Sequence, residues 1–204
     1  MATTQTTDRI LDSAEELFFT DGIAVTGVDR VADSAGVAIA TLYKHVGSKD
    51  GLLEAVLTRR LRTWTEHWDA AIAAATSPTG RLLAIFDAVT SFRASAGAAQ
   101  WCCFLATASE RPRPSDTQPD AVRDLLEQET RLVTQRLHQL AVDADLDDPS
   151  TVASRLVLVY NGALSSLLRS APADPLTHAR QLAETVVESS RRTPAKDVEP
   201  DPTR

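Results

Sequence analysis

The chain has 204 residues, 43% hydrophobic and 24% charged, with a formal net charge of −7 at pH 7. That composition excludes a disordered chain and suits one ordinary domain, or two small ones sharing a core. No run approaches the roughly 18 apolar residues of a membrane span, the first eight residues lack a signal-peptide pattern, and two adjacent cysteines, Cys102 and Cys103, make neither a disulfide framework nor a four-ligand zinc site, so a cytoplasmic protein without membrane contact is expected.

The elements read as helices almost throughout. Ile10, Leu11, Ala14, Leu17 and Phe18 mark one face of a first helix, which Asp21-Gly22 stops with a left-handed residue. Thr26 and Asp29 have capping-box spacing and open a short helix through Ser34. A tight turn at Ala35-Gly36-Val37 leads into a second short helix ending near His45. Leu53, Val56, Leu57, Leu61, Trp64 and Trp68 form a stripe that predicts a long helix starting after Ser48. Leu82, Ile85, Phe86, Val89 and Phe92 mark the next helix, and 101–110 a shorter one followed by a loop to Pro119. Val122, Leu125, Leu126, Val133, Leu137 and Leu140 mark another, and two final helices run over about 150–169 and 176–191. Three prolines follow a residue suited to capping, at Ser77-Pro78, Asp148-Pro149 and Asp174-Pro175, which is a helix-start signal. Ile23 to Thr26 could form a short strand but has no partner, and residues 193–204 read as a disordered tail. The fold class is all-α.

The stretch 26–49, TGVDRVADSAGVAIATLYKHVGSK, has helix-turn-helix spacing: small or branched Val31 and Ala32 at the crossing, Gly36 in the turn and Val37 as plug. Between Arg30 and Lys49 three basic residues face one acidic residue, against six basic and nine acidic over the first sixty. The charge is compatible with a local anion-binding surface and also with a solvated helix end.

From Arg9 to Leu57 the chain resembles the DNA-binding domain of the TetR family of bacterial transcriptional regulators. The resemblance rests on Ile10-Leu11, Ala14, Leu17-Phe18, Gly22, Thr26, Val31-Ala32, Ala35-Gly36-Val37, Thr41-Leu42-Tyr43, His45, Ser48-Lys49 and Leu52-Leu53, and more weakly on Cys103-Phe104-Leu105 leading to Glu110. It implies a three-helix helix-turn-helix domain over 1–48 and a six-helix ligand-binding and dimerisation domain over 49–192. By the same resemblance Thr26, Tyr43, Lys44, His45 and Lys49 contact DNA phosphates, Thr41 points into the groove, and a ligand in the larger domain moves the fourth helix. The chain departs from the family at Ala38-Ile39-Ala40, where a polar cap and a polar contact are usual, at Val46, and at Gly51, which weakens the start of the fourth helix.

In the larger domain the resemblance places a ligand cavity near Trp64, Trp68, Phe86, Arg93, Trp101, Cys103, Phe104, Tyr160 and Asn161, although ordinary core packing explains the same aromatics. Few charges fall in these stripes, so the expected effector is small and mostly apolar or aromatic. Arg93 could meet a carboxylate. Leu156, Tyr160, Leu164 and Leu167, with Leu182 and Val186, are the expected homodimer interface, because the helix that bears the first four is apolar around more than half its circumference. The cysteines read as buried free thiols, the four histidines lack metal-ligand spacing, and 143–148, DADLDD, reads as an acidic turn. No phosphate loop or nucleophile elbow is present, so neither catalysis nor a cofactor is expected. The resemblance thus implies a dimeric regulator released from a palindromic double-stranded DNA operator by a small molecule. The alternative is a protein of the same fold that binds ligands or partners and has lost conventional operator binding.

Overall fold

The computed structural model describes residues 2–96, 102–111 and 120–191, and every regular element within them is an α-helix. In chain order these are α1 (Ala2–Thr20), α2 (Val28–Ala35), α3 (Ile39–Val46), α4 (Lys49–Ala74), α5 (Pro78–Ala96), α6 (Cys103–Glu110), α7 (Ala121–Asp143), α8 (Pro149–Arg169) and α9 (Pro175–Ser189). Ile23 to Thr26 form no strand and belong to the connection between α1 and α2. Trp101, most of the expected loop before Pro119, and the tail over 193–204 lie outside the described residues.

Local chemistry explains most of the boundaries. Gly36 ends α2 at φ 63°, and the amides of Gly36 and Val37 close onto the carbonyls of Asp33 and Ala32 at 3.1 and 3.0 Å. Ser48 starts α4 by accepting the Gly51 amide at 2.9 Å. Ser77 accepts from Gly80 at 3.0 Å, and Asp148 accepts from Thr151 at 3.1 Å. Asp174 precedes Pro175 as expected but makes no side-chain cap.

One sequence expectation fails here and another is incomplete. The N-cap of α2 is Gly27, not Thr26. The Thr26 hydroxyl turns back to donate to the carbonyl of Gly22 at 2.7 Å and, more weakly, to that of Leu17 at 3.3 Å, which also accepts the Asp21 amide. Gly51 is more than a weak helix former. A Cβ there would collide with the backbone oxygen of Val46, so glycine lets α4 leave α3 tightly.

The buried apolar residues form one continuous cluster. Ile10, Ala14 and Phe18 of α1, Val31 and Ala32 of α2 and Leu42 of α3 enter it from the N-terminal helices. Helix α4 supplies residues from Leu52 to Trp68 and runs through the whole cluster. Within it Glu15 accepts from the Arg60 guanidinium at 2.9 Å and from Arg59 at 2.7 Å, so an ion pair ties α1 to α4.

Helix α8 qualifies the expectation about membrane spans. Among the described residues it is the one helix long and apolar enough to cross a membrane, with 21 residues and a mean hydropathy of 1.2 over its most apolar stretch. Val152, Ala153, Leu156, Tyr160, Ala163 and Leu164 bury one side of it, and it packs against α7 and α9. A bundle helix with a second apolar face has the same composition.

Candidate nucleic-acid interface and interior cavity

Leu42 is fully buried and fixes the rotation of α3. The opposite side then presents Ile39, Ala40, Tyr43 and Lys44 as exposed residues, with Thr41 and His45 half-buried at its edges. Ala38 gives α3 no side-chain cap, as its methyl requires, so the first amides of the helix are left for an external acceptor. His45 is held against α1, its Nδ1 2.9 Å from the Thr7 hydroxyl. Half-buried Lys49 donates from Nζ to the carbonyl of Ala24 at 3.1 Å, which braces the α1–α2 connection. Arg9 donates to the carbonyl of Gly36 at 3.3 Å.

The structure brings Thr41, Tyr43, Lys44 and His45 onto one short helix, with Lys49 just beyond it. Thr26 does not join them. It is fully buried and its hydroxyl is spent inside the fold, so that hydroxyl is no surface donor to phosphate.

The larger part of the molecule encloses a narrow cavity of about 40 Å³ between α4, α5, α6, α7 and α8. Of the expected residues, Trp64, Arg93, Cys103, Phe104 and Tyr160 line it. Trp68 and Phe86 do not: both are packed into the core, and Trp68 lies under the Arg136 guanidinium at 4.6 Å. Asn161 lines an adjoining cleft of about 220 Å³, which shares Cys102, Phe104, Glu129 and Leu164 with the cavity.

Sequence reasoning named Arg93 but missed the other two charged residues of the lining. Arg60 and Glu129 both reach the cavity. Arg60 lies over the Phe92 ring at 4.3 Å while it pairs with Glu15. Burial pushes the Glu129 carboxyl up to about 7, with a hydrogen bond from Thr130 opposing the rise. Both residues sit in helical stripes on i,i+4 faces, but a lone charge on such a stripe carries no sign of which way it points. Trp64 stacks on Tyr160 at 6.0 Å between ring centroids and meets Phe92 edge-on at 5.8 Å. Burial also pushes the thiols up, Cys102 to about 11 and Cys103 to about 12, so both are protonated, unreactive groups at neutral pH.

One helix joins the two regions. Cys103 and Phe104, at the start of α6, are cavity wall, and Cys102 caps the helix by accepting the Leu105 amide at 3.5 Å. At the other end Glu110 accepts the backbone amides of Ile23 at 3.3 Å and Ala24 at 2.9 Å. The next residue, Arg111, donates to both oxygens of Asp50 at 3.2 and 2.9 Å, and to both oxygens of Asp120 at 2.8 Å. The Arg111 guanidinium holds the carboxyls of Asp50 and Asp120 below their ordinary range. Lys49 bonds the same Ala24 from its carbonyl side.

The expected dimer residues divide. Leu156, Tyr160 and Leu164 are buried in the subunit's own core, and Leu167 lines the cavity, because the apolar arc of α8 first serves α7 and α9. Leu158 and Leu168 on α8 remain outside at 71% and 47% exposure, with Leu182 on α9 at 59%. Val186 is half-buried beside Leu182.

Residues 10–56 match the family described as bacterial regulatory proteins, tetR family. Over 181 residues the chain is 33% identical to an uncharacterised HTH-type transcriptional regulator of Mycobacterium tuberculosis, which covers 88% of this chain and 83% of that relative. Over 86 residues it is 35% identical to the HTH-type transcriptional repressor KstR2 of Mycolicibacterium smegmatis, covering 40% of this chain and 42% of the relative. Among solved structures, a TetR-family transcriptional regulator from Streptomyces coelicolor superposes with a TM-score of 0.79 at 22% identity, over 93% of this chain and 97% of the other.

Proposed function

This chain belongs to the tetR family of bacterial regulatory proteins, and we propose that it is a homodimeric repressor released from a palindromic operator by a small molecule in the α4–α8 cavity. It acts as a DNA-binding transcriptional regulator and not as an enzyme. The observation that carries the ligand-release part is the course of α6. Its first turn is cavity wall, and its last residue and the one after it hold Ile23, Ala24 and Asp50 beside the helix-turn-helix. A ligand that widens the narrow cavity displaces the start of α6, and Glu110 and Arg111 pass the displacement to the α1–α2 connection and the first turn of α4.

On DNA, Tyr43, Lys44, His45 and Lys49 supply phosphate contacts, while Thr41 with Ile39 and Ala40 meets base edges and thymine methyls. Two copies join through the outer face of α8 and α9, centred on Leu158, Leu168 and Leu182, with Val186 at its edge. The test is a reporter driven by the promoter region next to the chain's own gene, in a host lacking that gene. Expression falls when the wild-type chain is supplied and recovers with the Tyr43→Ala, Lys44→Ala double variant. Unchanged expression, or a rise, contradicts repression.

A further inference from the structure

We infer that the cavity selects a lipophilic amine, its apolar part lying against the cluster of Trp64, Phe92 and Tyr160 and its ammonium meeting the Glu129 carboxylate. The inference rests on the reading of the cavity as a ligand site and names the class of ligand.

The groups facing this space differ in how their charge is satisfied. Arg60 of α4 is neutralised by Glu15 and covered by the Phe92 ring. The thiols of α6 and the Tyr160 phenol of α8 stay protonated, because burial raises all three. Arg93 of α5 is half-buried and keeps part of its hydration. Glu129 of α7 is the single carboxylate of the lining, and it stands where the cavity meets the adjoining cleft. Among the described residues no Lys, Arg or His acts on it strongly enough to offset its burial.

The chain already shows how it holds a cation here. Arg60 sits between an aromatic face and a carboxylate, those of Phe92 and Glu15. Tyr160 and Glu129 likewise supply a ring and a carboxylate to the lining of the same cavity. An ammonium placed there gains a charge-assisted hydrogen bond and aromatic contact, and it relieves a half-buried carboxylate. An alcohol can donate a hydrogen bond to Glu129 but brings no positive charge to offset it. A carboxylic acid would need Arg93 and would bring a second negative charge towards Glu129.

The experiment is a tryptophan-fluorescence titration of the full chain at pH 8 with three compounds of one skeleton: 4-phenylbutylamine, 4-phenylbutan-1-ol and 4-phenylbutanoate. The amine should bind at least tenfold tighter than the other two. Glu129→Gln should reduce it to the level of the alcohol, whose affinity changes less than twofold, whereas Glu127→Gln on the exposed side of α7 leaves the preference intact. In the wild type the amine should gain affinity from pH 6 to pH 8, and Glu129→Gln should abolish the gain, which separates it from any titration of His67 beside Phe92. Tightest binding of the carboxylate, or an amine preference that survives Glu129→Gln, overturns the inference and leaves the ligand site standing. Binding of none of the three overturns the inference together with the ligand site, while operator binding, measured separately, still decides the regulator reading.

Discussion

The ion pair between α1 and α4 allows a prediction with an internal control. Glu15 receives Arg60 at 2.9 Å with side chains only 8% and 6% exposed. Asp12 receives Arg59 at 2.6 Å, an even shorter contact, but its side chain is 70% exposed. Coulomb attraction at similar distances is set by the surroundings, so the two carboxylates should differ in worth. Glu15→Gln keeps the shape but takes the carboxylate charge from buried Arg60 and leaves Arg59 only its exposed contact with Asp12, a loss of about 3 kcal/mol. Asp12→Asn removes a hydrated pair and should cost under about 1 kcal/mol. For a chain of this length those figures correspond to melting shifts of roughly 6–12 °C and at most about 4 °C. Urea unfolding at one fixed protomer concentration measures both, because dimerisation makes apparent stability depend on concentration. A Glu15→Leu, Arg60→Met double variant should recover most of the loss, since no charge is then left buried. Equal costs for Glu15→Gln and Asp12→Asn would refute the reasoning.

Ala38→Ser should restore a side-chain cap to α3 and stabilise the chain by about 0.5–2 kcal/mol in the same unfolding assay; no gain would mean that the first amides of α3 lack nothing a serine can supply. Leu158→Glu places a charge at the centre of the outer α8–α9 face and should turn a dimer at micromolar concentration into a monomer by light scattering, whereas Leu156→Val should leave the dimer intact; a wild-type monomer would contradict the interface. The Glu129 carboxyl is raised to about 7 from an ordinary 4.5, so the folded state keeps a proton that the unfolded chain releases. Its contribution to stability is therefore whole below pH 4.5 and lost as pH rises through 7. Glu129→Gln should accordingly gain about 1–3 kcal/mol on the wild type between pH 5 and pH 8, the range reflecting partial exposure. A gap between the two proteins that is independent of pH would contradict this.

Helix order was legible because each helix carries a 3.6-residue apolar stripe punctuated by glycine, proline or a capping side chain. The turn at Gly36 and the missing cap at Ala38 follow from single residues and were legible for the same reason. Thr26 was misread because its spacing to Asp29 suits a cap, while the carbonyls of Gly22 and Leu17, brought near only by folding, compete for the same hydroxyl. The dimer residues were misread on one helix. Periodicity marks Leu156, Tyr160 and Leu164 as apolar, but it does not say whether that arc meets its own subunit or a partner. Arg60 and Glu129 escaped because a charge inside an apolar stripe becomes a cavity residue only through its neighbours from other helices. The bridge from Glu110 and Arg111 joins residues 61 to 87 positions apart and leaves no local signal.

The most direct measurement is fluorescence anisotropy of a labelled duplex carrying the inverted repeat nearest the gene, titrated with the wild-type chain and with Lys44→Ala at several salt concentrations. Lys44 is the cleanest probe because it is exposed on α3, whereas Lys49 also braces Ala24. The account predicts binding well above that to random duplex, and a uniform weakening in Lys44→Ala on both. The logarithmic salt slope of that variant should be shallower by about one per lysine removed. Equal affinity for the inverted repeat and random DNA, or a Lys44→Ala variant with unchanged affinity and slope, would contradict it.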